Sequence, residues 1–351
     1  MVFPTGEIGP GKNGGGFPSS KECDCIRKER LLGRLFIGVD LGGTNVRAGL
    51  VDEEGNVLSR DKRKTLARES AEAPVRQIVD SMAEVVRLRG AAFTDIAGIG
   101  IGSPGPLSAK KGMILHAGNL PHWVNFPLAA VIEERVGVRT FVQNDANVFA
   151  LGEWWKGAGR GYDDFFIMTL GTGIGGGAIC GGRLLTGFND NAAEVGHTSV
   201  DYNGPQCWCG QKGCLELYSS ATGVVRMTLE EAVNEHWETP LAEYLKKPHE
   251  LNSYIVCEAA RAGDPLACRI LDTAGYILGV GIVNSLNLLN FERIAIGGGL
   301  AKVGDLIFEP ARRALRDRGF RSFNSEVSIV PAEIPDDAAV LGAVKLVMEK
   351  L

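Results

Sequence analysis

Three apolar, β-rich runs in this chain end in glycines. RLFIGVDL runs into Gly42-Gly43-Thr44-Asn45, FFIMTL into Gly171-Thr172-Gly173, and RIAI into Gly297-Gly298-Gly299. The first two continue into a second β-type run, VRAGLVD and GGAICGGRLL, so each of these glycine segments reads as the turn of a hairpin. Glycine there lets the backbone turn sharply and brings N–H groups toward an anion with no Cβ in the way. The hydroxyls of Thr44 and Thr172 add donors. A single loop of this kind reads equally well as an ordinary turn; three of them after buried strands point to phosphate. A P-loop is excluded, because no GxxxxGK[ST] occurs. Gly171-x-Gly173-x-x-Gly176 matches the dinucleotide pattern in form. That fold needs a helix next, whereas the glycine-rich residues that follow read as a strand.

The remaining pattern repeats around these loops. After the first hairpin the turn EEGN leads to a third strand from Val57, which makes an antiparallel meander. Val75, Ile78, Val79, Met82, Val85 and Val86 recur at helical spacing and predict a helix over 74–89. IAGIGIGS reads as a buried strand ending in the loop PGPL. VRTFVQND is a strand, and ANVFALGEWWK is a helix starting directly after Asp145. Asp264-Pro265 opens a long helix, and Asp336 is placed to cap the last one, DDAAVLGAVKLVMEK. Two successive units, each with a strand–glycine–strand hairpin, predict two similar lobes with a cleft between them.

Charge and cysteine usage narrow the function. The 351 residues carry a net charge of −5 and no strongly basic block, which argues against nucleic acid or an anionic membrane as partner. Residues 1–33 are Gly/Pro/Ser-rich, lack the apolar core of a signal peptide, and read as a flexible extension in which Cys23 and Cys25 are incidental thiols. The long apolar run 270–290 contains Asp272, Asn284 and Asn287, so it reads as a buried helix and not a membrane span. The expectation is a cytoplasmic protein, in which thiols stay reduced and clustered cysteines serve as metal ligands. His197, Cys207, Cys209 and Cys214 form such a cluster within HTSVDYNGPQCWCGQKGC. Three thiolates and an imidazole make a closed tetrahedral Zn²⁺ site, which is structural in type. Cys180, Cys257 and Cys268 sit in apolar runs and read as buried filler.

GVDLGGTNVRAGLVDEEGNVL, GSPGPL, GNLPHW, QNDANVFALGE, LGTGIGGG, NAAEVGH, CWCGQKGCLE and IGGGL occur in this order over residues 34–351. Together they resemble the ROK family (repressors, open reading frames, kinases), and within it the bacterial glucokinases. The resemblance implies an α/β, two-lobed actin-like ATPase (ribonuclease H-like) fold with a cleft between the lobes. It implies a smaller lobe over 34–143, joined by the C-terminal helix 336–351, and a larger lobe over 144–335 holding the zinc loop 197–214. The implied activity is ATP-dependent phosphorylation of glucose at the 6-hydroxyl, with Mg²⁺ accompanying ATP and a structural Zn²⁺. Another hexose (N-acetylglucosamine, N-acetylmannosamine or fructose) and a non-catalytic sugar-sensing regulator are the alternatives. A repressor of the family needs an N-terminal winged helix, for which the glycine-rich segment before the first strand shows no helical period.

The residues alone leave Asp145 open, since an aspartate between a strand and a helix is also a helix cap. The resemblance makes it the catalytic base. It likewise implies that Gly105, Asn119, Asn144, Asp145, Glu194, His197 and Glu216 line the sugar site. His197 would then bind metal through one ring nitrogen and sugar through the other. Asp40 would help hold Mg²⁺, and Gly42, Gly43, Thr44, Asn45, Gly171, Thr172, Gly173, Gly298 and Gly299 would receive the nucleotide. A homodimer or homotetramer is the expected assembly.

Overall fold

The computed structural model describes residues 34–234, 237–320 and 326–351. The first extension, with Cys23 and Cys25, lies outside the described residues. Strand β1 (Leu35–Leu41) turns at the first glycines into β2 (Asn45–Val51), and β2 turns again into β3 (Val57–Lys64). Both pairings are antiparallel, as the meander pattern predicts. On its other side β1 pairs in parallel with β4 (Ile96–Ser103). Parallel neighbours need a crossover, and helix α1 (Glu72–Arg87) supplies it. Its Val75, Ile78, Met82 and Val85 are fully buried against the sheet. It begins two residues before the predicted start because Pro74 falls in the first turn, where its missing N–H has no helical partner to lose.

A small antiparallel sheet follows, formed by β5 (Leu107–Ser108), β6 (Met113–His116) and β7 (Val124–Phe126). Helix α2 (Leu128–Val136) then leads into β8 (Thr140–Asn144), parallel to β4. The order of the first large sheet is β3-β2-β1-β4-β8.

Helix α3 (Asp145–Lys156) carries the chain to a second sheet of the same design. Strand β9 (Phe165–Leu170) makes a hairpin with β10 (Ile174–Cys180), and β11 (Arg183–Leu184) edges it. On the other side lie β12 (Arg293–Gly297) and β13 (Ser328–Pro331), both parallel. The order β11-β10-β9-β12-β13 repeats that of the first sheet strand for strand. Its helical cover includes α4 (Glu216–Ser219), α5 (Ala221–Asn234), α6 (Ser253–Arg261), α7 (Pro265–Leu289) and α8 (Asp305–Arg318). Helix α7 starts as expected, with Asp264 accepting from Ala267 N–H at 2.8 Å and Pro265 in the first turn. It is the one helix among the described residues long and apolar enough to span a membrane, and its buried face belongs to the core that packs on the second sheet.

Helix α9 (Ala338–Lys350) returns to pack on β1 and β4 and crosses α3 in tight contact. The crossing depends on two glycines. A Cβ on Gly152 would lie 1.9 Å from the Ala338 carbonyl oxygen, and one on Gly342 would lie 1.6 Å from that of Val148. Three expectations change here. Asp337, not Asp336, occupies the N-cap of α9, and its carboxylate does not cap; it takes Arg60 through two 2.8 Å hydrogen bonds. Asp145 is the first residue of α3 and Asn144 is its cap. Cys257 is buried as filler should be, but Cys180 and Cys268 are only half-buried.

Candidate active site

The first glycine hairpin is fixed by its own backbone and by Thr65. Gly42 N–H donates to Asn45 at 2.9 Å, and Thr65 donates its hydroxyl to Gly42 at 2.6 Å and its N–H to Thr44 at 3.0 Å. Asn119, from the GNLP loop, packs so closely on Gly43 that a Cβ there would sit 2.8 Å from the Asn119 Cβ. Asp40, Gly42, Gly43, Thr44, Asn45 and Asn119 thereby line one wall of a cleft of about 770 Å³. Thr172, from the second sheet's β9–β10 hairpin, also lines it. That second loop is held by Gly171 N–H to Gly173 at 3.0 Å and by Thr222, whose hydroxyl donates to Thr172 O at 2.7 Å. The third loop behaves differently. Gly298, at φ +90°, lies against the Leu170 backbone under the end of β9, and Gly299 opens a short helical turn. Neither lines this cleft.

Asp145 stands near this lining, close enough to Asp40 for their charges to interact. Asn144 accepts from the N–H groups of Ala146 and Asn147 at 2.9 and 3.3 Å, which satisfies the free donors of α3. Asp145 is thus relieved of capping, though its Oδ1 also accepts from Ala146 N–H at 2.8 Å. Asp145 is half-buried as a residue, and burial of its carboxyl pushes its pKa up, against the pull of the Ala146 N–H. Asp40, which lines the cleft, lies within electrostatic reach of Asp145. Burial drives Asp40 to about 6, the cross-strand cation Arg47 opposes this, and the charge of Asp145 adds to it. Gly105 packs beside Asn144, 3.5 Å from its Nδ2 by the position of a Cβ.

Glu194, His197 and Glu216 gather beside Asp145. Burial raises the Glu194 pKa; His197 opposes the rise, while Asp145 and Glu216 add to it. The four groups therefore share one electrostatic neighbourhood. Glu216 joins two parts of the fold. Its Oε2 lies where a Cβ on Gly173 would come within 2.5 Å, so only glycine fits in that loop. Its Oε1 lies 2.9 Å from Trp208 Nε1, 3.4 Å from His197 Nδ1 and 3.4 Å from Cys207 Sγ.

The ligand atoms of His197, Cys207, Cys209 and Cys214 all lie within 4.8 Å of one another. Backbone bonds make the knuckle, with Cys207 N–H to Gln211 at 2.8 Å and Gly213 N–H to Pro205 at 2.8 Å. Cys209 and Cys214 sulfurs are 3.5 Å apart, and Cys207 Sγ is 3.7 Å from His197 Nδ1. Tetrahedral zinc with Zn–S near 2.3 Å needs S···S edges of about 3.8 Å, so the donors already stand at ligand spacing. The sulfurs are far outside the disulfide length of about 2.05 Å. Burial, with Cys209 and Cys207 alongside, pushes the Cys214 thiol up to about 12. A bound cation would offset the cost of ionising these thiols. The donor set fits zinc.

Three cleft residues escape a reading of the sequence. Arg47, Lys64 and Arg68 line the same cavity as the first glycine hairpin. The signal for two of them lay in the hairpin register, which sets Lys64 opposite Asn45 and Arg47 opposite Asp40. A contact between distant segments was also missed. Asp190 accepts from Ser108 Oγ at 3.3 Å and Lys110 N–H at 3.2 Å, four residues before Glu194. No local pattern marks it.

The ROK family profile matches residues 36–350. The chain is 38% identical over 316 residues to a glucokinase of Thermotoga maritima, covering 90% of this chain and 98% of that protein. Among solved structures it is similar to a ROK family glucokinase from Streptomyces griseus in complex with glucose and AMPPNP. That match has a TM-score of 0.75 and 35% identity, and covers 90% of this chain and 99% of the other. A ROK hexokinase from Thermus thermophilus aligns with a TM-score of 0.75 at 28% identity, over 90% of this chain and 100% of the other.

Proposed function

The chain belongs to the ROK family, and from that premise we propose that it is an ATP-dependent glucokinase. It transfers the γ-phosphoryl group of ATP to the 6-hydroxyl of glucose, giving glucose 6-phosphate and ADP, with Asp145 as general base. The observation that carries this reading is the position of Asp145. It stands at the first turn of α3, next to a cleft edged by glycine hairpins from both lobes and next to the Glu194–His197–Glu216 cluster.

Transfer to an alcohol needs a positioned hydroxyl, a place for its proton, and neutralised phosphoryl oxygens. Asn119, Asn144, Glu194, His197 and Glu216, with Gly105 beside them, supply the planar polar groups that pair with sugar hydroxyls. Asp145 takes the 6-hydroxyl proton as the oxygen attacks phosphorus and the bond to the β-phosphate oxygen breaks. Burial makes its carboxylate a stronger base than an exposed aspartate. Gly42–Asn45, Thr172, Arg47, Lys64 and Arg68 line the cleft that would receive the phosphates, with Gly171 and Gly173 on either side of Thr172. Gly298 and Gly299 act from behind the loop, toward the nucleotide. Asp40 would hold Mg²⁺ through water, which spreads charge over the phosphates when bound. His197, Cys207, Cys209 and Cys214 would hold Zn²⁺, which fixes the His197 ring. We place the lobe boundary at 143/144, so that closure about α3 and α9 excludes water from the reaction. The protein would act in the cytoplasm, at the entry of glucose into glycolysis.

The test is glucose-dependent ADP release by purified, zinc-loaded protein, set beside other hexoses. Asp145→Asn should lower kcat by about 10²- to 10⁴-fold while glucose binding falls less. Unchanged turnover in that variant removes Asp145 as the base, and no ADP release from the parent with any sugar leaves a sugar-sensing regulator.

A further inference from the structure

Trp208 sits between two metal-ligating cysteines and is 79% exposed. A ring that open gains little from burial, so core packing does not explain where it stands. Two contacts fix it, and both are to the sugar cluster. Its Nε1 donates to Glu216 Oε1 at 2.9 Å. Its ring meets the His197 ring edge-on, with centroids 4.9 Å apart and an interplanar angle of 84°.

The chemistry of Glu216 Oε1 makes the first contact decisive. Three groups surround that oxygen: Trp208 Nε1, His197 Nδ1 and Cys207 Sγ. The last two belong to the ligand cluster, and His197 Nδ1 is the ring nitrogen turned toward Cys207. A thiolate carries no proton, and a metal-bound imidazole nitrogen carries none either. Once a cation is held, neither can donate to Glu216. Trp208 is then the donor that remains for Oε1, while Gly173 leaves room for Oε2.

We propose that Trp208 is a positioning residue: its indole N–H holds the Glu216 carboxylate in the orientation that receives a sugar hydroxyl, and so sets the affinity for sugar without entering the phosphoryl transfer. This rests on the reading of Glu216 and His197 as sugar contacts. The knuckle itself does not need Trp208, since backbone hydrogen bonds between 205–207 and 211–213 close it. Removing the indole therefore separates positioning from folding.

The experiment compares zinc-loaded parent, Trp208→Phe and Trp208→Ala. Phenylalanine keeps a ring beside His197 and removes only the donor. Both variants should bind zinc at the parental stoichiometry and keep the parental KM for ATP and most of kcat. Their glucose KM should rise about three- to tenfold, the scale of one modest hydrogen bond. The parent should also show a glucose-dependent change in tryptophan emission, measured without ATP, that Trp208→Phe lacks. A parental glucose KM in Trp208→Phe, or an equal emission change in parent and variant, overturns the proposal. Loss of zinc or of thermal stability in step with KM also overturns it, because Trp208 would then be a structural part of the knuckle. A parent that neither releases ADP with glucose nor responds in emission defeats the glucokinase reading and this inference together. An active parent with an indistinguishable Phe variant defeats this inference alone.

Discussion

Replacing Glu153 tests how firmly the helix that carries Asp145 is tied to the rest of the fold. Glu153 has no exposed surface, and it sits two turns after Asp145 on α3. Its Oε2 accepts from the N–H groups of Ala158 at 2.9 Å and Glu333 at 3.0 Å, and its Oε1 from that of Ile334 at 2.8 Å. One side chain thus pins the end of its own helix and the segment that leads into α9. In Glu153→Ala all three N–H groups lose their partner. The Ala158 donor is in a fully buried setting and should cost about 1–3 kcal/mol. The two at 333 and 334 lie nearer the surface, where water can replace part of the bond, and should cost about 0.5–1.5 kcal/mol each. The expected loss is about 2–6 kcal/mol. Glu153→Gln keeps a carbonyl oxygen for the two donors on one side and turns an amide N–H toward Ile334, so it should lose about 1–2 kcal/mol. Urea unfolding at pH 7 measures both, with the midpoint shift read at a common slope. Stability of the alanine variant within about 0.5 kcal/mol of the parent would refute the argument. A glutamine variant as unstable as the alanine one would show that charge, not donor matching, matters at this position.

Three further outcomes follow from the site. Asp40 is raised from 3.8 to about 6, so the folded protein holds its proton more tightly than the unfolded chain. The stability Asp40 contributes is therefore complete below pH 4 and is lost as pH rises through about 6; Asp40→Asn should match the parent at pH 3.5 and exceed it by up to about 3 kcal/mol at pH 8. Parallel stability curves for the two proteins would contradict this. Because burial raises Asp145, the acid limb of kcat/KM should fall above the usual carboxylate range, and a limb at or below pH 4 would exclude it as the base. Cys209→Ala should lose zinc and weaken glucose affinity together, and an unchanged glucose KM in the zinc-free variant would reduce the knuckle to a staple.

The hairpins were legible because each is an apolar run, a glycine turn and a second apolar run, and those signals lie within about ten residues. Asp145 was legible as a candidate because a strand ends and a helix starts at it. Which of Asn144 and Asp145 caps that helix was not, because both side chains suit the position and only the folded backbone gives the cap to Asn144. The neighbouring pair Asp336 and Asp337 shows the same limit: Arg60, 277 residues away from Asp337, decides its partner. Arg47, Lys64 and Arg68 become a cationic wall only when β2 and β3 pair in register. Trp208 sits in a motif where cysteines draw the eye, and its partner Glu216 is fixed by the folded knuckle.

The two sheets share strand order and direction, yet the proposed chemistry sits on one copy of each element. The single aspartate of β1, Asp40, is separated from its glycine turn by Leu41 alone, and Thr169 holds the matching place in β9. The two helices that cross at the centre match in the same way, for Val148 and Gly152 on α3 meet Ala338 and Gly342 on α9 reciprocally. On that alignment Asp145 corresponds to Pro335, which carries no acid. A pair of hairpins suits a phosphate chain, because N–H groups from both sides stabilise its charge. A pair of carboxylates at the same places does not, since each would repel the anion and raise the other's pKa, as Asp145 already does to Asp40. A symmetric scaffold used for phosphoryl transfer must therefore be asymmetric in its acids. Placing an aspartate at Thr169 should accordingly weaken ATP binding more than glucose binding, whereas Thr169→Ser should leave both near the parental values.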